Sequence, residues 1–213
     1  MSRYSVIADV SEALLDVLVA RLAPGAGPDD EAVRVEDGQI GLGSPKTAGD
    51  GFRLTLYLYK VAPNGHVTNR ERVEREVGVF ERPPLGLDLY YLLTAYPQSS
   101  DRRGIVDQHK LLGRAVQVLR DRSVMTGVLP GAEDVRLSVY PESASEVTDV
   151  WSTFSETPYQ PSVVLLVGAV SIDPEPPTVT TPGPMVTERA VESYARFAGR
   201  EETPDEQEDT DDA

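Results

Sequence analysis

The first candidate for a chemical function is a phosphate-binding turn, which the types and spacing of Gly41, Gly43 and Lys46 could form. A glycine-rich turn offers backbone amides to a phosphate, and a lysine after it adds positive charge. Here Lys46 stands where the third glycine of a dinucleotide-binding motif belongs, and Pro45 stands where a phosphate loop needs glycine. We therefore interpret 41–47 as a flexible loop. The GxSxG motif of a serine nucleophile does not occur in the chain.

Histidine and aspartate supply the next candidates. The chain has 2 His, His66 and His109, and neither has a carboxylate or a second histidine at metal-ligand spacing. We predict that both are ordinary surface or half-buried residues. Asp88 stands among leucines, where a carboxylate must find a partner or shift its pKa. Because no partner is evident in the sequence, we predict that Asp88 faces outward.

Five tyrosines are more typical of a core or an interface than of a ligand cage. They are Tyr57, Tyr59, Tyr90, Tyr91 and Tyr96. The chain has no cysteine, which excludes disulfide bonds, thiol nucleophiles and thiolate metal sites. No nucleophile, base and orienting group come together in the sequence. We therefore expect no catalysis, cofactor or metal.

The balance of acids and bases limits the partners. The formal net charge is -15, from 35 acidic and 20 basic residues, which argues against binding to nucleic acid or to an anionic membrane. Eight of the acids lie in residues 201–213, which contain no base. Lysine occurs only at 46, 60 and 110. An acidic, lysine-poor surface is typical of proteins from a halophilic host, because concentrated salt screens the repulsion between their acidic groups. A GC-rich genome would also replace lysine by arginine.

No segment is apolar enough to cross a membrane. The longest apolar run, 163–170, has eight residues, whereas a spanning helix needs about 20. Asp9, Glu12 and Asp16 interrupt the N-terminal stretch where a secretory signal would need its apolar region. We expect a protein that is made in the cytoplasm.

Hydrophobic periodicity predicts an α/β (α+β) fold, with a mixed sheet flanked by helices. In the first half, we predict a helix over 5–22, followed by a long loop over 25–50 that includes an edge strand at 33–36. A strand over 52–61 comes next, and a turn at 63–65 leads into a second strand around Val67. Residues 69–82 are predicted to form a charged hairpin or loop. In the second half, we predict a central strand from Leu85 and a helix over 101–122, with Asp101 as its cap and an apolar stripe that starts at Ile105. A strand over 135–139 follows, and then a helix that is capped by Ser143 or Ser145 and carries Trp151. The last element is a strand over 163–172 that is buried on both faces.

The chain changes character after Asp173. Residues 174–184 hold five prolines and no apolar periodicity, which predicts an extended linker. A short amphipathic helix follows over 187–198, and the acidic stretch after it is predicted to be disordered. We therefore predict a compact domain over 1–173 and a C-terminal arm over 174–213. The arm could reach a neighbouring subunit or pack back on its own domain.

Several ordered blocks of sequence resemble one protein family. They are LYLYKV (56–61) followed by Asn64, PPLGLDLYYLLTAY (83–96), LLGRAVQVL (111–119), Trp151 and YQPSVVLLVGAVSID (159–173). Their order and spacing are similar to those of the cap, or tail-terminator, proteins of extracellular contractile injection systems, typified by virulence-cassette and antifeeding-prophage particles. The amphipathic start, 5–18, also matches. The resemblance spans about residues 4–173 but does not cover 25–50 convincingly.

The resemblance implies a structural protein that is not an enzyme. It implies a homohexameric ring that caps the inner tube and anchors the last layer of sheath, with the tube protein and the sheath protein as partners and neither nucleic acid nor membrane. The particle would assemble in the cytoplasm and could be released. Alternating arginine and glutamate can pair across a rotated copy, so we predict assembly contacts in the charged hairpin and in the apolar stripe of the arm. These residues are Arg70, Arg72, Arg75, Arg82, Tyr194 and Phe197.

Two alternatives stay open at this point. The chain could be a baseplate or tail-completion component of the same kind of particle. It could also be a small-molecule-binding α/β domain that uses Asp88 and the tyrosines. A monomer that binds a metabolite would favour the second alternative, whereas a sixfold ring would disfavour it.

Overall fold

The structure is a computed structural model. It describes residues 4–25, 33–36, 38–46, 51–64, 73–76, 79–81, 84–127, 134–140 and 144–173. In chain order, this part of the protein forms α1 (Val6–Leu22), β1 (Ile40–Leu42), β2 (Leu54–Pro63), β3 (Val73–Glu76), β4 (Val79–Glu81), β5 (Leu85–Ala95), α2 (Arg102–Asp121), β6 (Val124–Met125), β7 (Val135–Val139), α3 (Ala144–Ser152) and β8 (Ser162–Ile172).

The helix α1 buries every fourth residue. Its buried stripe consists of Val6, Val10, Leu14, Leu18 and Leu22. Because residues four apart lie on one face of a helix, this stripe points continuously into the core. The predicted helix is confirmed, and Ile7 and Val17 are partly buried at the margin of the stripe.

The sheet of six strands is mixed, as predicted. Its order is β1-β2-β5-β8-β7-β6. Strand β1 runs parallel to β2, and all other neighbours are antiparallel. The predicted central strand from Leu85 is confirmed, since β5 lies between β2 and β8. Strand β8 is also interior and buries residues on both faces, such as Val164 on one and Leu165 on the other.

The predicted edge strand at 33–36 is wrong. Val33 and Val35 are buried, but residues 34–36 are not in a strand. The backbone amide of Val35 donates to the carbonyl oxygen of Leu22 at 2.9 Å, so this segment follows the end of α1 instead of a neighbouring strand. The edge strand comes later, at β1.

Two helices cover one face of the sheet and a third covers the other. The main core joins α1 and α2 to residues such as Leu54, Tyr91 and Val167, and a second cluster surrounds Leu92, Trp151 and Val164. The helix α3 was predicted to carry Trp151, and it supplies this residue to the second cluster. The predicted cap Ser143 lies outside the described residues, and Ser145 lies within the first turn of α3.

The helix α2 begins as predicted, but its buried stripe does not start at Ile105. The Oδ1 atom of Asp101 accepts a hydrogen bond of 2.8 Å from the backbone amide of Gly104, which confirms the cap. Ile105, predicted to be in the stripe, is 42% exposed. Gln108 is buried in its place, because its side-chain amide donates to the Ala95 carbonyl oxygen at 2.7 Å and to Gln160 Oε1 at 2.8 Å.

The chain divides into two units. The first comprises Met1–Arg72 and Arg82–Pro176, and the second comprises Val73–Glu81 and Pro177–Ala213. The described part of the second unit is the antiparallel pair β3–β4, in which Val73 faces Glu81. This pair lies within the predicted charged hairpin. The strand predicted around Val67 and the whole of 174–213 lie outside the described residues.

Candidate assembly surfaces

Asp88 has a partner that the sequence did not reveal. Its half-buried carboxylate accepts a 2.8 Å hydrogen bond at Oδ1 from the side-chain amide of Asn64. Asp88 lies where the pairing of β5 with β8 shifts register, between Leu87 and Leu89. A Cβ added at Gly168 on β8 would lie 3.3 Å from the same oxygen, so the glycine leaves the carboxylate room. Asp88 therefore joins the end of β2 to β5, and the assumption that it has no partner is wrong.

The five tyrosines do not form one cluster. Tyr57, Tyr59 and Tyr90 pack against the second apolar cluster, whereas Tyr91 is buried in the main core. Tyr96 forms a 3.2 Å hydrogen bond with the hydroxyl of Thr55. The sheet thus divides them among separate environments, and they do not enclose a common ligand.

An aromatic layer covers the second face of the sheet. Tyr57 meets Phe154 edge to face at 5.8 Å between ring centroids, and Tyr90 meets Tyr140 at 5.4 Å. The ammonium group of Lys60 lies 4.5 Å from the centroid of Tyr90, within the range of a cation–π contact. Edge-to-face pairs and a capping cation are features of a packed layer.

The predicted flexible loop over 41–47 is wrong at its start. Residues 40–42 form β1, and a Cβ added at the buried Gly41 would lie 2.8 Å from Cζ of Phe52. The glycine is therefore required for contact with an aromatic ring. Lys46 is exposed, and Thr47 lies outside the described residues.

Metal ligands do not cluster in the described part of the chain. No group of three or more histidine, aspartate or glutamate side chains there could hold an ion. His109 is exposed on α2, and His66 lies outside the described residues. The helices in the described ranges include none that is long and apolar enough to span a membrane.

The two edge strands of the large sheet each expose one apolar side chain. Leu42 on β1 is 45% exposed, and Val124 on β6 is 50% exposed. The strands contain three and two residues, so each edge offers little backbone for pairing. Because β1 and β6 end the sheet on opposite sides, the two apolar side chains mark two different surfaces of the subunit.

A cleft lies between the segment before β1 and the start of α2. Its volume is about 1170 Å³, and Arg34, Arg53 and Arg102 are among its lining residues. Arg53 is only 6% exposed, and its Nη1 atom donates to the Arg34 carbonyl oxygen at 2.7 Å. Burial lowers the pKa of Arg53, and the negative charge of Asp107 acts in the opposite direction.

Sequence reasoning missed this cleft because segments that are far apart in the sequence build it. Two backbone hydrogen bonds fix the position of Arg53. Its amide donates to the Gln39 carbonyl oxygen at 2.8 Å, and its carbonyl oxygen accepts from the backbone amide of Tyr96 at 2.9 Å. The signal in the sequence is the pair Arg102-Arg103 directly after the cap of α2, where the helix dipole favours acids.

The residues predicted for assembly contacts stay a prediction. Arg75 is on β3, and its side chain is not among those described. The other five lie outside the described residues; they are Arg70, Arg72, Arg82, Tyr194 and Phe197.

This chain shares its fold with the sheath/tube terminator, in the extended state, of an extracellular contractile injection system, PVC, which was solved by cryo-EM. The match covers 95% of this chain and 74% of that chain, with 16% sequence identity and a TM-score of 0.53. The comparison also finds a cryo-EM structure of the tube-terminating cap of the anti-feeding prophage, in which 90% of this chain and 69% of that chain are covered, with 16% sequence identity and a TM-score of 0.44.

The family comparison agrees with the resemblance found in the sequence. No curated protein matches the chain. The model of the Pvc16 N-terminal domain family matches residues 9–188, which is most of the 213 residues. The match includes most of α1, all of α2 and all six strands of the large sheet. The chain therefore belongs to the Pvc16 N-terminal domain family.

Proposed function

We propose that this protein caps a phage-tail-like contractile injection particle, as a hexameric ring that ends the inner tube and anchors the last layer of sheath. The observation that carries the proposal is the fold shared with the PVC sheath/tube terminator over 95% of this chain. The protein acts through its shape and its interfaces, and it catalyses no reaction.

A cap must end a stack that could otherwise continue. Tube and sheath are open-ended assemblies, whereas a head-to-tail interface whose rotation closes gives a ring and stops there. The two surfaces around Leu42 and Val124 meet this requirement, because they lie on opposite edges of one sheet. In the ring, the β1 edge of one copy faces the β6 edge of the next.

The short edges also fit a protein that ends growth. Long, flat edge strands invite further strands to pair, and β1 and β6 have only three and two residues. The charged hairpin, with Arg70, Arg72, Arg75 and Arg82, and the arm, with Tyr194 and Phe197, then provide contacts to tube, sheath or the adjacent copy. Deleting 174–213 should release the sheath from the cap, and a deletion that leaves sheath attachment intact would refute the role of the arm.

The direct test is imaging of particles from cells that lack this gene. We expect tails of irregular length or with detached sheath, and uniform particles when the wild-type gene is restored. Intact, uniform particles without the gene would overturn the proposal. Labelling the protein within purified particles separates a cap from a baseplate component, since the label should lie at the end of the tail opposite the baseplate.

The oligomeric state of the purified protein provides a second test. A capping subunit should form closed sixfold rings, by itself or when tube ends are added. A protein that stays monomeric with tube ends and binds a metabolite would favour the small-molecule alternative.

A further inference from the structure

A row of three aromatic rings reaches the surface where the chain passes from α3 to β8. Trp151, near the end of α3, meets Phe154 at 6.2 Å between ring centroids and Tyr159 at 5.2 Å. Trp151 is only 5% exposed, whereas Tyr159 is 60% exposed. We call these three residues the aromatic platform. Tyrosine and tryptophan are enriched among the residues that carry most of the binding energy of interfaces, so the exposed ring of Tyr159 is a candidate anchor.

Hydrogen bonds on both sides of Tyr159 hold the backbone that carries it. The backbone amide of Thr157 donates to the Phe154 carbonyl oxygen at 2.9 Å. On the other side, Gln160 Oε1 accepts a hydrogen bond of 2.8 Å from the side-chain amide of Gln108 on α2. A side chain on a fixed backbone loses less conformational entropy when a partner binds. Tyr159 is therefore positioned for binding before a partner arrives.

The buried indole N–H of Trp151 has no acceptor among the described residues. Buried indole groups usually find a hydrogen-bond partner, because an unsatisfied buried donor destabilises the fold. The carbonyl oxygen of a bound peptide would supply this acceptor. Since Tyr159 packs on Trp151 and is largely exposed, movement of this one ring can open a path to the indole.

Proline-rich segments are suited to exposed aromatic rings that have an N–H donor beside them. Such segments favour the polyproline II helix, whose carbonyl groups make no internal hydrogen bonds and whose proline rings pack on aromatic side chains. Because this helix is stiff before it binds, it loses little entropy on binding. Residues 174–184 of this chain contain five prolines and a single charged residue, Glu175. They are a segment of the required composition.

We propose that the aromatic platform binds residues 174–184 of a neighbouring copy of this chain. In its own chain, the segment starts at the opposite end of the sheet, because β8 runs from Ser162, close to Tyr159 in sequence, to Ile172. The strand spans about 36 Å at roughly 3.3 Å per residue, and the segment spans about 34 Å as polyproline II. It would have to double back in full to bring even its last residue to Tyr159. A neighbouring copy is not limited in this way.

The single tryptophan of the chain, Trp151, makes the platform directly observable by fluorescence. The probe is the peptide 174–184, labelled with fluorescein for anisotropy and unlabelled for tryptophan emission, since it contains no aromatic residue. The host is the full chain with the five prolines of 174–184 changed to alanine, so that it carries no competing segment. We expect saturable binding and a shift of the Trp151 emission. A peptide with alanine in place of the five prolines should bind at least about tenfold more weakly, because its backbone is no longer stiff.

Two exposed tyrosines give matched variants of this host. Tyr159→Ala should weaken binding at least about tenfold, as the loss of an anchor residue does. Tyr4→Ala, at a 92% exposed position before α1, should change the affinity by less than about twofold. Trp151→Phe keeps a ring but removes the N–H donor, and it should weaken binding about threefold to tenfold, as the loss of one hydrogen bond predicts.

The proposed ring supplies the neighbouring copy, and the dilute wild-type chain tests whether a neighbour is needed. It should bind the labelled peptide as tightly as the host does. Weaker binding would show that the segment occupies the platform of its own chain, and the inference would be wrong. No binding by the host, equal effects of the two tyrosine variants, or tighter binding of an unrelated polyproline peptide would also overturn it. The experiment needs no particle, so its failure and the failure of the capping role can be told apart.

Discussion

The side-chain amide of Asn64 donates a 2.8 Å hydrogen bond to Oδ1 of Asp88. Asn64 follows the end of β2, and its backbone amide also donates to the Gly86 carbonyl oxygen at 2.8 Å. The two bonds hold the end of β2 against the start of β5. This part of the sheet is irregular, because β5 shifts register with β8 at the same residue.

Removing the Asn64 amide should destabilise the fold. We expect Asn64→Ala to lower the free energy of unfolding by about 1–3 kcal/mol, since the carboxylate loses a hydrogen bond to a charged group. Urea denaturation measures the change. The double variant with Asp88→Ala should cost less than the sum of the two single variants, and strict additivity would contradict the coupling.

Close neighbours leave no room for a Cβ atom at two glycines, whereas a third glycine has open space around it. A Cβ at Gly41 would collide with the Phe52 ring, and one at Gly104 would collide with the backbone oxygen of Ser99. We expect Gly41→Ala and Gly104→Ala each to lower the free energy of unfolding by about 1–3 kcal/mol, as overpacking does. Gly113, also within α2, has no atom within 4 Å of the added Cβ.

Gly113→Ala is therefore the matched control for both substitutions. Alanine is favoured over glycine inside a helix, so this variant should gain about 0.5–1 kcal/mol. Calorimetric or urea unfolding gives the sign for all three variants. A loss at Gly113, or no loss at Gly41 and Gly104, would show that the contacts do not decide the outcome.

The elements with long periodic patterns could be predicted from the sequence. The helix α1 and the strands β5 and β8 each repeat apolar residues over ten or more positions, and the cap Asp101 follows from residue type. The family resemblance rests on the same stretches.

The features that failed depend on contacts between distant residues. Gln108 is buried because it bonds to Ala95 and Gln160, and a periodicity argument does not contain that information. Strand β1 has three residues, too few for a pattern, and its position depends on Gly41 fitting against Phe52. Asn64 and Asp88 are 24 residues apart in sequence. Each of these features requires the tertiary structure before it can be recognised.

Because of Tyr91, the stability of the fold should decrease as the pH becomes alkaline. Its hydroxyl lies 2.8 Å from Oγ of Ser11, which donates its own proton to the Ile7 carbonyl oxygen, so Tyr91 is the donor. Burial raises the pKa of Tyr91 above its ordinary value. Above about pH 10 the unfolded chain loses the tyrosine proton while the folded chain keeps it, so the free energy of unfolding falls as pH rises.

Tyr91→Phe tests this relationship. At pH 7 we expect a loss of about 0.5–1.5 kcal/mol, because one hydrogen bond is removed while Ser11 keeps its bond to Ile7. Above pH 10 the difference from the wild type should shrink, since the phenylalanine variant has one fewer titrating group. Tyr159→Phe, at an exposed position, is the control. A difference that stays constant or grows from pH 7 to 11 would contradict the assignment.

The edges of the sheet allow a decisive test of head-to-tail assembly. Leu42→Lys and Val124→Lys should each change the free energy of unfolding by less than about 0.5 kcal/mol, because both side chains are largely exposed. If the β1 edge of one copy faces the β6 edge of the next, each variant alone forms no ring. A mixture of the two leaves one intact pair of surfaces, one from each variant, so dimers should form and then stop.

Native mass spectrometry of the two variants and of their equimolar mixture distinguishes these species. Ile105→Lys is the control, because it also replaces an exposed apolar residue but lies on α2 and not on an edge strand. Rings in either single variant would show that the edges are not the interface. Dimers in one single variant would indicate an interface that uses the same surface twice. A heterologous ring forbids both results, since every contact in it requires one copy of each edge.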